Sequence, residues 1–188
     1  MKKYLARKIH LEKRRSLEIE LFNRLEKETI TSCIQLIEKL NPEVVHCSLP
    51  INNKQEIDTK LIFQYCWENN IETVIPVSDF KNNTMTSVSY DSSTQLFKNK
   101  YGIPEPKKTI ITNNKEIELV ITPLIAFDKK GHRVGFGKGF YDRFFSTCNI
   151  KTKKVGLSLF EPINDIEDTS EHDISLNYVV NPRKIFTF

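Results

Sequence analysis

The chain has 188 residues, 39% hydrophobic and 28% charged, a balance typical of soluble globular proteins and too apolar for a disordered one. A chain of that length buries roughly two-thirds of its unfolded surface, so one domain spanning residues 1–188 is expected without help from a metal or disulfide. The net charge of +4 is concentrated between Lys2 and Arg15 with no RNA- or DNA-binding motif beside it, and no apolar run approaches the ~20 residues of a membrane span.

In chain order, residues 3 to 40 are rich in helix formers, with Leu5, Ile9, Leu17, Leu21, Leu25, Ile34, Ile37 and Leu40 at largely helical spacing. Two helices are predicted, ending before Pro42 and broken within Glu26 to Thr31; one long bent helix is the alternative. Val44 to Leu49 reads as a buried strand, Glu56 to Glu68 as a helix and Thr73 to Val77 as a second strand. Strand, helix, strand over this distance is a βαβ unit, which implies a parallel sheet and a right-handed crossover. Asn82 to Asn114 carries short β-like pieces at Thr84–Tyr90 and Thr109–Thr112 between polar linkers, and is expected as an excursion over the sheet. Leu119 to Phe127 and Lys154 to Phe160 are a third and fourth strand, and a helix beginning near Gly139 joins them in a second βαβ unit. Val179 to Phe188 reads as a terminal strand or an extended tail. The fold class is therefore α/β: a single three-layer domain, mostly parallel sheet with helices on both faces, preceded by an N-terminal helical stretch.

Cys33, Cys47, Cys66 and Cys148 form no CxxC pair and have no histidine at ligand spacing, so reduced thiols are expected rather than zinc or disulfides. With no apolar segment behind the basic N-terminus, a cytoplasmic location is expected.

The chemistry concentrates in Pro123 to Arg143, PLIAFDKKGHRVGFGKGFYDR. Glycines at 135, 137 and 139, placed after a buried strand and before a helix, let phosphate oxygens approach backbone N–H groups at a helix N-terminus. Arg133 and Lys138 add cationic donors, and Asp142 is placed to hold Mg²⁺. Lys138 is followed by Gly139 rather than Ser or Thr, so the loop is not a Walker A motif.

The combined string Pro123, Ala126-Phe127-Asp128, Gly131, Arg133, Gly135, Gly137, Gly139 and Tyr141-Asp142-Arg143 resembles the signature of the 5-formyltetrahydrofolate cyclo-ligase family, and the resemblance continues along the whole chain. It implies an ATP-dependent ligase that cyclises 5-formyltetrahydrofolate to 5,10-methenyltetrahydrofolate, with Mg²⁺ as cofactor and ATP as co-substrate. The implied ATP-binding set is Lys3, Tyr4, Leu5, Ala6, Arg7, Arg133, Val134, Gly135, Phe136, Gly137, Lys138, Gly139, Phe140 and Tyr141. Of these, Arg133, Lys138 and Tyr141 are the expected catalytic residues. Within Ser48 to Thr59, Ile51 and Glu56 are implied to contact the pterin, joined by Phe136, Gly137, Lys138, Gly139 and Phe140. Glu171-His172-Asp173 resembles the family's last motif, which makes Asp173 the second metal ligand beside Asp142. Tyr101-Gly-Ile-Pro-Glu-Pro106 resembles a segment near the folate.

Three positions depart from the family pattern: Phe140 where many relatives have Tyr, Thr169-Ser170 where Pro is common, and Asn181 where Thr is common. Two other function classes stand against this expectation. A sugar-phosphate isomerase or acyl-CoA transferase on the same architecture would grip a substrate phosphate and work without ATP. An RNA-binding module using Lys2 to Arg15 would show steep salt dependence. The expected partners are the two small molecules, with no nucleic acid and no membrane, acting on a monomer.

Overall fold

The computed structural model describes residues 1–51 and 55–188; Asn52, Asn53 and Lys54 of the Ser48–Thr59 segment lie outside the described residues. Among the described residues there are four α-helices, α1 (Lys3–Arg15), α2 (Ile19–Leu40), α3 (Lys60–Glu68) and α4 (Phe140–Phe145). The strands are β1 (Val44–Cys47), β2 (Glu72–Asp79), β3 (Thr84–Ser89), β4 (Leu96–Lys98), β5 (Pro104–Pro106), β6 (Leu119–Pro123), β7 (Ala126–Phe127), β8 (Arg133–Val134), β9 (Lys153–Leu157), β10 (Tyr178–Val180) and β11 (Ile185–Thr187). Seven of them form one sheet in the order β11-β10-β9-β6-β1-β2-β3. The five central strands run parallel, and β3 and β11 add antiparallel edges.

Side-chain alternation along the parallel strands builds two cores. Val45, Cys47, Leu119, Ile121, Val155 and Leu157 face one layer together with Ile30, Cys33, Leu36 and Ile37 of α2 and Ile62, Phe63 and Cys66 of α3. Val74, Val120 and Val179 face the other, packed by Phe144 and Phe145 of α4. Fully burying each such side chain contributes roughly 1.5–3 kcal/mol, so the two layers hold the crossovers β1-α3-β2 and β6-α4-β9 in place. The mostly parallel sheet with helices on both faces is the architecture expected from the chain pattern. Helix α2 stops where Asn41 takes a left-handed conformation (φ 45°) with its N–H on the Ile37 carbonyl, just before Pro42.

Four local expectations are corrected. The helical break falls at Ser16–Glu18, not within Glu26–Thr31; Thr29 and Thr31 donate their hydroxyls to the Leu25 and Lys27 carbonyls, which lets these β-branched residues sit inside α2. Thr84–Ser89 is not an excursion over the sheet but its edge strand, paired with β2 from Val74 to Asp79. Thr109–Thr112 contributes only an isolated bridge from Ile111 to Val88. The predicted strand Leu119–Phe127 is two strands, because the chain turns after Pro123 and Ala126–Phe127 pairs with Arg133–Val134 instead. The C-terminal stretch is a hairpin of β10 and β11, closed by Asn181, whose side-chain oxygen accepts from the Arg183 and Lys184 N–H groups.

The segment from Ser158 to Asn177 crosses back over β7 and β8 and is fixed there by Asp128. That buried carboxylate accepts from the N–H groups of Lys130 (2.9 Å), His132 (3.0 Å) and Ile166 (3.1 Å) and from His132 Nδ1 (2.9 Å). Burial alone would raise its pKa, but these bonds outweigh it and hold Asp128 below the ordinary carboxylate value.

Candidate active site

The carboxyl ends of β1, β2 and β6 open into a cavity of about 480 Å³, bordered by Ser48 and Leu49 after β1, Pro76 and Ser78 in β2, and Pro123 at the end of β6. Open α/β sheets bind ligands at this edge, and the volume suits a ligand of a few tens of atoms. The loop from Gly135 to Gly139 and the start of α4 form a second side.

Helix α1 supplies the third. Its buried stripe, Ala6, His10 and Arg14, lies at one-turn spacing against the protein, and Ala6 packs on Ala126, Val134 and Ile166. This orientation brings Lys3 and Arg7 to the cavity. The Nε of Arg7 donates to the Gly135 carbonyl at 2.8 Å. Gly137 adopts φ +94° with its missing Cβ 3.2 Å from Arg7 Nη2, and Gly139 adopts φ +65° beside the Arg143 guanidinium. Those two glycines are required by backbone conformation and by close cations; Gly135 has open space around it.

Two acidic residues stand at the same end. Asp142 Oδ1 accepts from Arg133 Nη2 at 2.7 Å and from the Ile174 N–H at 3.1 Å, and Arg133 Nη1 donates to the Ile174 carbonyl. Asp173 Oδ2 accepts from Lys3 Nζ at 2.5 Å and from the Ser170 N–H at 2.6 Å. Burial would raise the Asp173 carboxyl, but Lys3 and Ser170 hold it below its ordinary value. Arg133 is pulled down by burial and held up by Asp142, and stays a cation.

Part of the lining is aromatic. Phe80 and Phe140 meet edge to face at 5.5 Å, Tyr101 lies 4.4 Å from Phe80, and Lys138 Nζ sits 5.8 Å above the Phe80 ring. Ile51 and Glu56 border the cavity nearby, with the Ile51 N–H donating to Glu56 Oε2 at 2.9 Å. The Tyr141 ring packs on His46, Phe144 and Phe145. Its hydroxyl is shut off from water with no hydrogen-bond partner of ordinary geometry, although Ser48, Glu56 and Arg133 act on it. Burial raises its pKa well above the ordinary phenol value, so it remains a proton donor.

The structure therefore gathers Lys3, Arg7, Ile51, Glu56, Arg133, Gly135 to Asp142 and Asp173 around one cavity, although they span nearly the whole chain. Four members of the expected ATP-binding set lie apart from its lining: Tyr4 and Leu5 are exposed at 65% and 38%, and Ala6 and Val134 are in the core. The helix-terminus reasoning is also weakened, because α4 has only six residues and carries a small dipole; the four cations dominate the anion attraction. Ile103 and Pro104, of the Tyr101–Pro106 segment, also line the cavity, whereas sequence reasoning missed Ser48, Ser78, Phe80 and Met85. Only their position just beyond or late in a parallel strand could have flagged Ser48, Ser78 and Phe80; Met85 carries no local signal.

The model of the 5-formyltetrahydrofolate cyclo-ligase family matches residues 1–182. This chain belongs to that family. Similar curated members are the 5-formyltetrahydrofolate cyclo-ligase of Escherichia coli K12, 31% identical over 135 residues covering 70% of this chain and 74% of that one, and that of Haemophilus influenzae, 37% identical over 100 residues. In the latter the match spans 52% of this chain and about half, 54%, of the relative. A solved 5,10-methenyltetrahydrofolate synthetase from Aquifex aeolicus superposes with TM-score 0.83 at 28% identity, covering 100% of this chain and 93% of that one. A second, from Mycoplasma pneumoniae, agrees in fold with TM-score 0.79 at 22% identity, covering 97% of this chain and 100% of that one. In this cyclo-ligase family member one cavity is lined by cations, carboxylates and aromatic rings, with Phe140 edge to face against Phe80.

Proposed function

We propose that this chain, acting as one domain over residues 1–188, uses ATP to cyclise 5-formyltetrahydrofolate to 5,10-methenyltetrahydrofolate, releasing ADP and phosphate. The single observation that carries the reading is the two-part lining of one cavity. Lys3, Arg7 and Arg133 bond to Asp173, the Gly135 carbonyl and Asp142, while Phe80 and Phe140, with Lys138 above the Phe80 ring, and Ile51 and Glu56 border the same space. A triphosphate needs the first and a flat, amine-bearing ring the second.

In this reaction the formyl oxygen takes the γ-phosphoryl group, N10 attacks the activated formyl carbon, and inorganic phosphate departs. Phosphoryl transfer depends on alignment and charge neutralisation rather than on a protein nucleophile. Arg133 and Lys138 offset the charge that develops on the transferring oxygens, and Lys3 and Arg7 orient the remaining phosphates. The ring of Phe140 stacks and offers no hydroxyl, so hydrogen bonding at this end falls to Glu56, whose carboxylate accepts from ring N–H and amino groups. The protonated Tyr141 hydroxyl is a donor held just beneath.

Asp142 and Asp173 fit a magnesium ion: both border the cavity and meet through the Asp173–Ile174 peptide, and their cation and backbone bonds fall on one oxygen of each, Oδ1 and Oδ2 respectively. Hard divalent cations take such carboxylates together with phosphate oxygens. When bound, the ion would supply charge neutralisation to the phosphate oxygens. The chain acts as a monomer on two small molecules, without nucleic acid, in the cytoplasm; among the described residues no helix is long and apolar enough to cross a membrane.

The test is stoichiometric. Purified protein mixed with 5-formyltetrahydrofolate, ATP and Mg²⁺ is expected to release one phosphate for each methenyl product formed. Phosphate release without methenyl product, or product without ATP, would contradict the reading.

A further inference from the structure

We propose that Arg14 is the positioning residue for Glu56, orienting that carboxylate toward the cavity, so that the last turn of α1 sets affinity for the folate rather than for the nucleotide. The inference rests on the assignment of Glu56 to the pterin proposed above.

A guanidinium that is only 4% exposed is unfavourable unless its charge and its donors are met. Arg14 Nη2 donates to the Leu124 carbonyl at 2.9 Å, which fixes the side chain, while its Nε–H is buried with no hydrogen-bond partner. That leaves a charge to be balanced. Arg14 and Glu56 border the same small void of about 30 Å³, room for about one water molecule, which lies behind the main cavity. Glu56, Ser48, Pro123 and Phe136 border both spaces, so Glu56 stands in the partition with the substrate cavity in front and Arg14 behind. Burial draws the Arg14 pKa down, and Glu56 is the acid that opposes this.

Neither Lys3, Arg7 nor Lys138 borders the void. Arg7 and Arg14 are seven residues apart on α1, about two turns, and so share a face of the helix. One helix thereby serves both ends of the site: Lys3 and Arg7 reach Asp173 and the Gly135 carbonyl, and Arg14 reaches behind Glu56. A purely structural Arg14, satisfied by the Leu124 carbonyl, would support both ends alike.

The experiment measures kcat and KM for 5-formyltetrahydrofolate, and calorimetric affinity for a non-hydrolysable ATP analogue, in Arg14→Gln, Arg14→Lys, Glu56→Gln and the Arg14→Gln/Glu56→Gln double variant. Arg14→Gln is expected to raise the folate KM about tenfold, the size of a lost charge-assisted interaction, with nucleotide affinity unchanged. Arg14→Lys is expected to recover part of that loss, and the double variant to be no worse than Glu56→Gln alone. Should Arg14→Gln not fold, Arg14→Lys is expected to show the same KM-only defect at a few-fold. Equal losses of folate and nucleotide affinity, an unchanged KM, or additive effects in the double variant would overturn the proposal. If Glu56→Gln alone leaves KM unchanged, the pterin assignment of Glu56 fails and the role of Arg14 falls with it.

Discussion

Arg133 and Asp142 are joined at 2.7 Å across the glycine loop, and the second arm of the same guanidinium holds the Ile174 carbonyl. The proposed phosphate-binding cation and the proposed metal-binding carboxylate are thus set by one planar fork, tied to the segment that carries Asp173. Lysine keeps the charge but cannot span both acceptors. Arg133→Lys is expected to lower kcat about 100-fold, the scale of losing one preorganised charge-stabilising donor. Steady-state kinetics check this, and a loss under about threefold would contradict it.

Lys3 and Asp173 form the second pair, with side chains 23% and 22% exposed. In the proposed function a phosphate takes Lys3 and a metal ion takes Asp173, so each ligand must break that pair. Lys3→Met is expected to strengthen binding of Mg²⁺ in the absence of nucleotide about fivefold, the upper range for releasing a partly exposed ion pair. The same variant is expected to weaken the ATP analogue. Calorimetric titrations of each ligand alone separate the two effects.

Gly137 tests the loop backbone. An alanine there meets both a positive φ of 94° and the Arg7 guanidinium at 3.2 Å, and left-handed backbone disfavours a side chain by about 1–2 kcal/mol. Gly137→Ala is expected to weaken ATP-analogue binding about tenfold by displacing Arg7. The thermal midpoint is expected to fall by a few degrees, the size of that strain.

His46 gives a pH dependence. Its imidazole is fully buried in β1 against Phe144 at 4.6 Å, with neither ring nitrogen hydrogen-bonded, and burial lowers its pKa from 6.5 to about 3. The unfolded chain therefore binds a proton in the window between those values that the folded chain does not. Stability falls as pH drops through it, by about 1.4 kcal/mol per pH unit from this group. His46→Leu removes the term, and is expected to leave stability at pH 7.5 near or above that of the parent while making it less acid-sensitive. Denaturant midpoints at pH 5 and 7.5 measure it; equal acid sensitivity in parent and variant would contradict it.

Much of the fold was legible because parallel strands buried on both faces read as short apolar runs, and Val44–Cys47 and Leu119–Pro123 carry that signal plainly. The break before α2 was not, since Ser16–Glu18 carries neither Gly nor Pro. The edge strand β3 was misplaced because pairing with β2 is a register fact with no trace in the local polar pattern. In the site, the glycine loop was readable from spacing and Lys3, Arg7, Glu56 and Asp173 from family resemblance. Phe80 and Arg14 were not, because the packing of Phe80 on Phe140 and the void that Arg14 shares with Glu56 join residues distant in sequence.

The most direct measurement is the absorbance of the 5,10-methenyltetrahydrofolate chromophore after mixing the protein with 5-formyltetrahydrofolate, ATP and Mg²⁺, each omitted in turn, and again with Asp142→Ala. A rise that requires all three components and is lost in Asp142→Ala is the expected result. A rise without ATP, or one that Asp142→Ala leaves intact, would contradict the assignment of the cavity as a metal-nucleotide and folate site.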